Sequence, residues 1–155
     1  MEIERKFLID RFPESLPLES ECEMRQIYIS VMPTVRARSK KVGDKETFRL
    51  TVKGSGELCR EEIETSVTKE QFEALCRVAE KEPIRKLKRC YKLPDGLLLE
   101  CSLVDEGTEN EFMYAEVEFE SVAAAEAFVP PDYLGKEVTY DNSWKMNNYW
   151  KRTRL

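Results

Sequence analysis

Charged residues of both signs recur at every second position in several short stretches of this chain. Glu2, Glu4 and Lys6 alternate with Ile3, Phe7 and Ile9. Arg36 and Arg38, Lys86 and Lys88, Glu116 and Glu118, and the trio Arg60, Glu62 and Glu64 repeat the pattern, while Lys53 and Glu100 each belong to a further alternating run. Residues two apart on a strand project from the same side of a sheet. One such face is ordinarily a solvated surface, and the runs Lys40-Lys41 and Glu80-Lys81-Glu82 read as just that. Several such faces turned towards one another would line a cavity. An isolated charge inside a protein costs several kcal/mol, so that interior must be wet and mutually paired, or filled by a ligand. Lysine and arginine grip phosphate oxygens. Glutamates hold a hard divalent metal that bridges phosphate and water. The chemistry implied is that of a polyphosphate handled with a divalent cation.

Composition narrows the alternatives. The 155 residues predict a single domain over 1–155 with enough length for a real core. The charge is high, 35% of residues, but mixed in sign and net −5, which argues against disorder and against general nucleic-acid binding. No apolar run reaches membrane-spanning length, and no signal peptide opens the chain. The absence of histidine excludes a Ser-His-Asp triad, a Cys-His pair and imidazole metal ligands. Any metal must be held by oxygen, which favours magnesium or manganese. Five cysteines with no C-x-x-C pair predict reduced thiols and a cytoplasmic protein.

The elements that must position these charges are mostly strands. Alternation predicts strands near residues 2–9, 24–31, 35–39, 46–54, 60–64, 84–93, 97–104 and 114–120, with 12–23 as a connector. Thr68 followed by Gln71 reads as a capping box, opening a helix whose Phe72, Leu75, Cys76 and Ala79 form one face. Pro94-Asp95-Gly96 predicts a hairpin turn. Ser121 caps a short Ala-rich helix, and the tail from Glu137 reads as a short strand or loop followed by a helix. The fold class expected is mainly β (α+β). It is an eight-stranded antiparallel closed barrel with two or three helices packed outside, wide enough for a small ligand.

The same residues carry a resemblance. Glu2-Ile3-Glu4-Arg5-Lys6 resembles the E-x-E-x-K signature of the CYTH superfamily, the triphosphate tunnel metalloenzymes. In order, Arg25-Gln26-Ile27-Tyr28, Val35-Arg36-Ala37-Arg38, Leu50-Thr51-Val52-Lys53, Arg60 to Glu64, Ile84 to Lys88, Glu116-Val117-Glu118 and Gly135 to Thr139 resemble its later motifs. The likeness spans about residues 2–148. It implies an eight-stranded tunnel acting on a triphosphate with divalent metal. By position, Glu2, Glu4, Glu62, Glu64, Glu100, Glu116 and Glu118 resemble metal ligands. Lys6, Arg36, Arg38, Lys53, Arg60 and Lys88 resemble the phosphate clamp, and Tyr28 with Lys86 a pair implicated in hydrolysis in compact bacterial members. The chain departs from the pattern at Ser102, where aspartate is usual, at Lys88, where arginine is usual, at Arg89, where an aromatic is usual, and at Ser143, where arginine is common. Arg49, on the Lys53 face, is a candidate to compensate. The expected reaction is hydrolysis of inorganic tripolyphosphate with Mg2+ or Mn2+. The alternatives are a class IV adenylate cyclase, a thiamine triphosphatase with Trp144 or Trp150 as a stacking platform, and a non-catalytic polyphosphate or nucleotide binder. The implied partner is a small-molecule triphosphate, without nucleic acid or membrane, with a homodimer as the possible assembly.

Overall fold

The computed structural model describes residues 1–155. The alternating stretches form strands β1 (Glu2–Ile9), β2 (Leu18–Val31), β3 (Thr34–Val42), β4 (Lys45–Lys53), β5 (Cys59–Arg60), β6 (Glu62–Ser66), β7 (Ile84–Lys92), β8 (Leu98–Val104) and β9 (Phe112–Glu118). Every pairing is antiparallel, in the order β5-β1-β9-β8-β7-β2-β3-β4-β6. The two edge strands are neighbours in the chain, separated by Glu61 alone. The first half of this stretch pairs with β1 through Glu2 and Arg60, and the second half pairs with β4 through Lys53 and Glu62. One short run of backbone thereby turns the sheet into a nearly closed barrel.

The number of strands expected was eight and the number found is nine, because the fifth is split at Glu61, where the chain passes from one partner to the other. Two boundaries also differ. Residues 18–23 belong to β2, paired with β7 from Leu18 opposite Tyr91 onward, and are not part of a connector. Lys40 and Lys41 are strand residues opposite Thr47 and Glu46, although both are exposed as expected. In both places the partner strand supplies order that a run of charges does not announce.

Strand parity separates two interiors. On β1, β8 and β9, the side facing out of the barrel carries Phe7, Leu99, Cys101, Ala115 and Val117, which pack with Phe119, Ala125 and Leu134. Helix α2 (Val122–Ala127) contributes Ala125, and Ser121 caps it by accepting from the Ala124 backbone N–H. A second cluster gathers Ile27, Ala37, Ile84 and Val104 under helices α1 (Lys69–Ala79) and α3 (Met146–Arg154). Phe72 of α1 is fully buried, and its ring centroid lies 5.4 Å from that of Phe48. The Thr68–Gln71 capping box forms as expected, with hydrogen bonds of 3.0 and 2.8 Å. Thr68→Ala removes that cap and is expected to lower stability by about 1 kcal/mol, read as a shift in the urea midpoint.

Asp105 ties α3 to the barrel. It accepts from the Tyr149 hydroxyl, from Arg154 Nη1 at 2.7 Å and Nη2 at 3.2 Å, and from the Arg85 backbone N–H at 3.1 Å. Arg154 also donates to the carbonyls of Glu82 and Pro83 at 3.1 Å each. No helix is long and apolar enough to cross a membrane.

Candidate active site

The lumen-facing parity of the strands lines a cavity of about 210 Å³. A cavity of that size inside a barrel of this strand number suits a small ligand. All fifteen residues singled out in the sequence line it: Glu2, Glu4, Lys6, Tyr28, Arg36, Arg38, Lys53, Arg60, Glu62, Glu64, Lys86, Lys88, Glu100, Glu116 and Glu118. Ser102 lines it too, 2% exposed. Arg49 does not; it is half exposed and meets Glu64 at 3.4 Å. Ser143 is also outside, exposed, bonded through its hydroxyl to Asp141 at 2.6 Å.

Cations crowd the interior. Lys6, Arg36, Lys53 and Lys86 are each at most 9% exposed. Burial, reinforced by Arg38, Arg36 and Lys6, drives the Lys86 ammonium well below the usual lysine range. Burial also lowers Lys6 and Lys53, against the pull of nearby glutamates. Arg38 donates to Gln26 Oε1 at 3.2 and 3.0 Å, and Gln26 Nε2 donates to the Tyr28 hydroxyl at 3.1 Å. Arg36 Nε is buried and has no acceptor.

The carboxylates divide between ion pairs and one another. Lys53 lies 3.2 Å from Glu2 and 3.7 Å from Glu62, and Arg60 lies 3.2 Å from Glu2 and 3.6 Å from Glu4. Lys88 pairs with Glu100, and Thr51 donates to Glu64 at 3.1 Å. Glu4 meets Glu116, and Glu2 meets Glu62, carboxyl to carboxyl. Burial, then the charges of Glu116 and Glu2, hold Glu4 well above the usual carboxylate range. Burial alone would raise Glu116, yet Lys6, the bond from Glu4, Lys86 and Lys53 bring it to about 2. Glu2 is likewise brought to about 2, against burial, by Glu62, Lys53 and Arg60.

No three carboxylates converge on one point. The donor set nonetheless fits a hard divalent cation. Two pairs of carboxyl groups abut inside the barrel, in each of which one member is raised and the other lowered, and Glu62 Oε2 is buried without a hydrogen-bond donor.

Sequence reasoning missed Gln26, Tyr114 and Lys145. Gln26 is fully buried as the link between Arg38 and Tyr28. Tyr114 is 2% exposed, with its hydroxyl 2.5 Å from Lys86 Nζ. Lys145, before α3, reaches across to the Gly56 carbonyl. Gly56 sits at φ +137°, and a Cβ there would come within 2.2 Å of the Cys59 carbonyl oxygen, so this crossing requires glycine. Tyr114 was within reach of the parity argument, because it shares a strand face with Glu116 and Glu118.

A barrel lined in this way, with buried cations facing glutamates, defines the triphosphate tunnel class. No family model matches the sequence. The chain is 39% identical over 150 residues to the inorganic triphosphatase of Nitrosomonas europaea, covering 93% of each, and belongs to that protein's family within the CYTH superfamily. Two crystal structures of NE1496, one called a hypothetical protein and the other an inorganic triphosphatase, match with TM-scores of 0.66 and 0.65. Their identities are 34% and 33%, over 96% of this chain and 97% and 93% of theirs. A putative adenylyl cyclase from Hippeastrum has the same fold, with a TM-score of 0.59 at 16% identity over 81% of this chain and 83% of that one.

Proposed function

We propose that this protein hydrolyses inorganic tripolyphosphate, using magnesium or manganese, as a cytoplasmic enzyme whose partner is its small-molecule substrate. The observation that carries the reading is Arg36, a buried guanidinium with an unsatisfied N–H, set among Arg38, Lys86, Lys6 and Lys53. Such a cluster, only partly paired by Glu2 and Glu62 through Lys53, favours an added polyanion opposite it. The likeness to an inorganic triphosphatase supports the same substrate. The lumen's aromatics are Tyr28 and Tyr114, both buried, and neither tryptophan lines it, so a nucleobase or thiazolium ring has no free face to stack on. This disfavours the cyclase and thiamine triphosphate readings. The unpaired cysteines fit a reducing compartment, and the reading involves neither nucleic acid nor a membrane.

In the reaction, a water oxygen bonds to the terminal phosphorus and the bridging P–O bond breaks. Pyrophosphate leaves with the bridging electron pair, orthophosphate forms, and the water gives up a proton. Arg36, Arg38, Lys53, Arg60, Lys6 and Lys88 bind and orient the phosphates. Lys86, crowded by cations and buried, holds or releases a proton at Nζ as charge develops on the departing oxygen. Glu2, Glu4, Glu62, Glu64, Glu116 and Glu118 would hold the cation, with Glu100 restrained by Lys88. When bound, the metal neutralises phosphate charge and makes water a better nucleophile.

The test is a panel of tripolyphosphate, ATP, GTP and thiamine triphosphate with magnesium, manganese or calcium. The expected result is phosphate release from tripolyphosphate, abolished by EDTA. Pyrophosphate release from ATP would favour the cyclase. Retention of tripolyphosphate without turnover at any metal concentration would favour a sensor and end the hydrolase reading.

Ser102 adds a graded prediction. It faces the lumen opposite Lys88 on β7 and Tyr114 on β9. Ser102→Asp supplies a carboxylate there and is expected to lower the magnesium concentration for half-maximal turnover by about tenfold. Superimposable titrations would separate Ser102 from the metal.

A further inference from the structure

The hydroxyl that meets Lys86 belongs to Tyr114, and no hydrogen bond joins Lys86 to Tyr28. Tyr28 is turned towards Gln26, and its ring packs against Trp150 with centroids 5.8 Å apart. Tyr114 instead stands between two lysines. Lys6 Nζ lies 4.1 Å and Lys86 Nζ 5.1 Å from its ring centroid. Lys6 is anchored a second time, through the Trp144 carbonyl at 2.6 Å. Lys86 has no comparable second anchor: its Nζ hydrogen bond to Tyr114 is its only one.

We infer that Tyr114 is the positioning residue for Lys86, fixing where its nitrogen sits against the bound triphosphate; this rests on the triphosphatase reading. A lysine has a flexible four-carbon stem and wide rotamer freedom. The charges of Arg36, Arg38 and Lys6 repel its head group. The Tyr114 hydroxyl holds the nitrogen in place against that repulsion. The tyrosine is itself immobile, being 2% exposed and packed on Phe112 at 5.8 Å between centroids. Displacing a reacting group by about 1 Å costs on the order of 10²-fold in rate.

Tyr114→Phe keeps the ring that Lys6 rests on and removes the hydroxyl alone. The expected result is a kcat for tripolyphosphate about 10²-fold lower, with KM within twofold of wild type. In a Lys86→Met background the same change should have no further effect, whereas Tyr28→Phe should retain its own. Tyr114→Phe activity within twofold of wild type would overturn the inference, as would an equal loss in both backgrounds. If the wild type does not turn over tripolyphosphate, the functional reading falls first. The positioning claim is then decided by a crystal structure of Tyr114→Phe, in which an unmoved Lys86 Nζ overturns it.

Discussion

Glutamine in place of Glu4 is expected to cut metal-dependent tripolyphosphate turnover by about 10³-fold, the upper range for removing one group that stabilises developing charge. The fold should survive. Glu4 is pressed against Glu116, and an amide can donate to the Glu116 carboxylate as the raised Glu4 carboxyl does. Arg60 loses a contact at 3.6 Å but keeps Glu2 at 3.2 Å. Melting temperature should therefore hold or rise while turnover collapses, and metal-free binding of tripolyphosphate should persist. Turnover at the wild-type rate would remove Glu4 from the metal site. Turnover and melting temperature falling together would mark it as structural.

The second large effect is on stability. Asp105→Asn is expected to cost about 3 kcal/mol, because it leaves Arg154 without its buried counter-charge. Asp105 is at φ +48°, a conformation asparagine tolerates, so the loss reports the charge and not the backbone. Burial would raise the Asp105 carboxyl, but bonds from Arg154, Tyr149 and the Arg85 backbone lower it below the usual aspartate value. A carboxyl lowered by folding contributes stability that is full above its unfolded pKa and disappears as pH falls through the folded one. Wild type and variant should thus differ most near neutrality and converge in acid. Urea midpoints at pH 7 and near pH 3 measure this. An equal gap at both pH values would show that the charge is not the source.

What was legible before folding was whatever one strand carries by itself. Alternation put Glu2, Glu4 and Lys6 on one side of β1, and the same parity put every candidate charge but Arg49 in the lumen. The capping box at Thr68 and the turn at Pro94-Asp95-Gly96 are equally local, and both formed where expected. What was hidden depends on which strands meet. Residues 18–23 carry glutamates on one side and look like a solvated connector until β7 pairs with them. Gln26 looks neutral and unremarkable, yet closure of β2 on β3 buries it against Arg38. The contact of Lys86 with Tyr114 joins β7 and β9, which β8 separates, so sheet order and not sequence spacing brings the two together.

The topology also bears on biosynthesis. The strand bearing Glu2, Glu4 and Lys6 is made well before the strand it pairs with, since Glu4 lies opposite Glu118, far downstream. At ~5–20 residues per second, about 6–23 s pass before that partner has been made. During this interval β1 has no neighbour on one edge, and its companion on the other, Cys59–Arg60, is two residues long. Pairings of such high sequence separation form slowly and late. Docking of β1 therefore completes the hydrophobic core around Phe7 and delivers the glutamates to the tunnel in one event. Until then the cations of β3, β4 and β7 can be assembled without Glu2 and Glu4 opposite them, so the lining is complete only in molecules in which β1 and β9 have met.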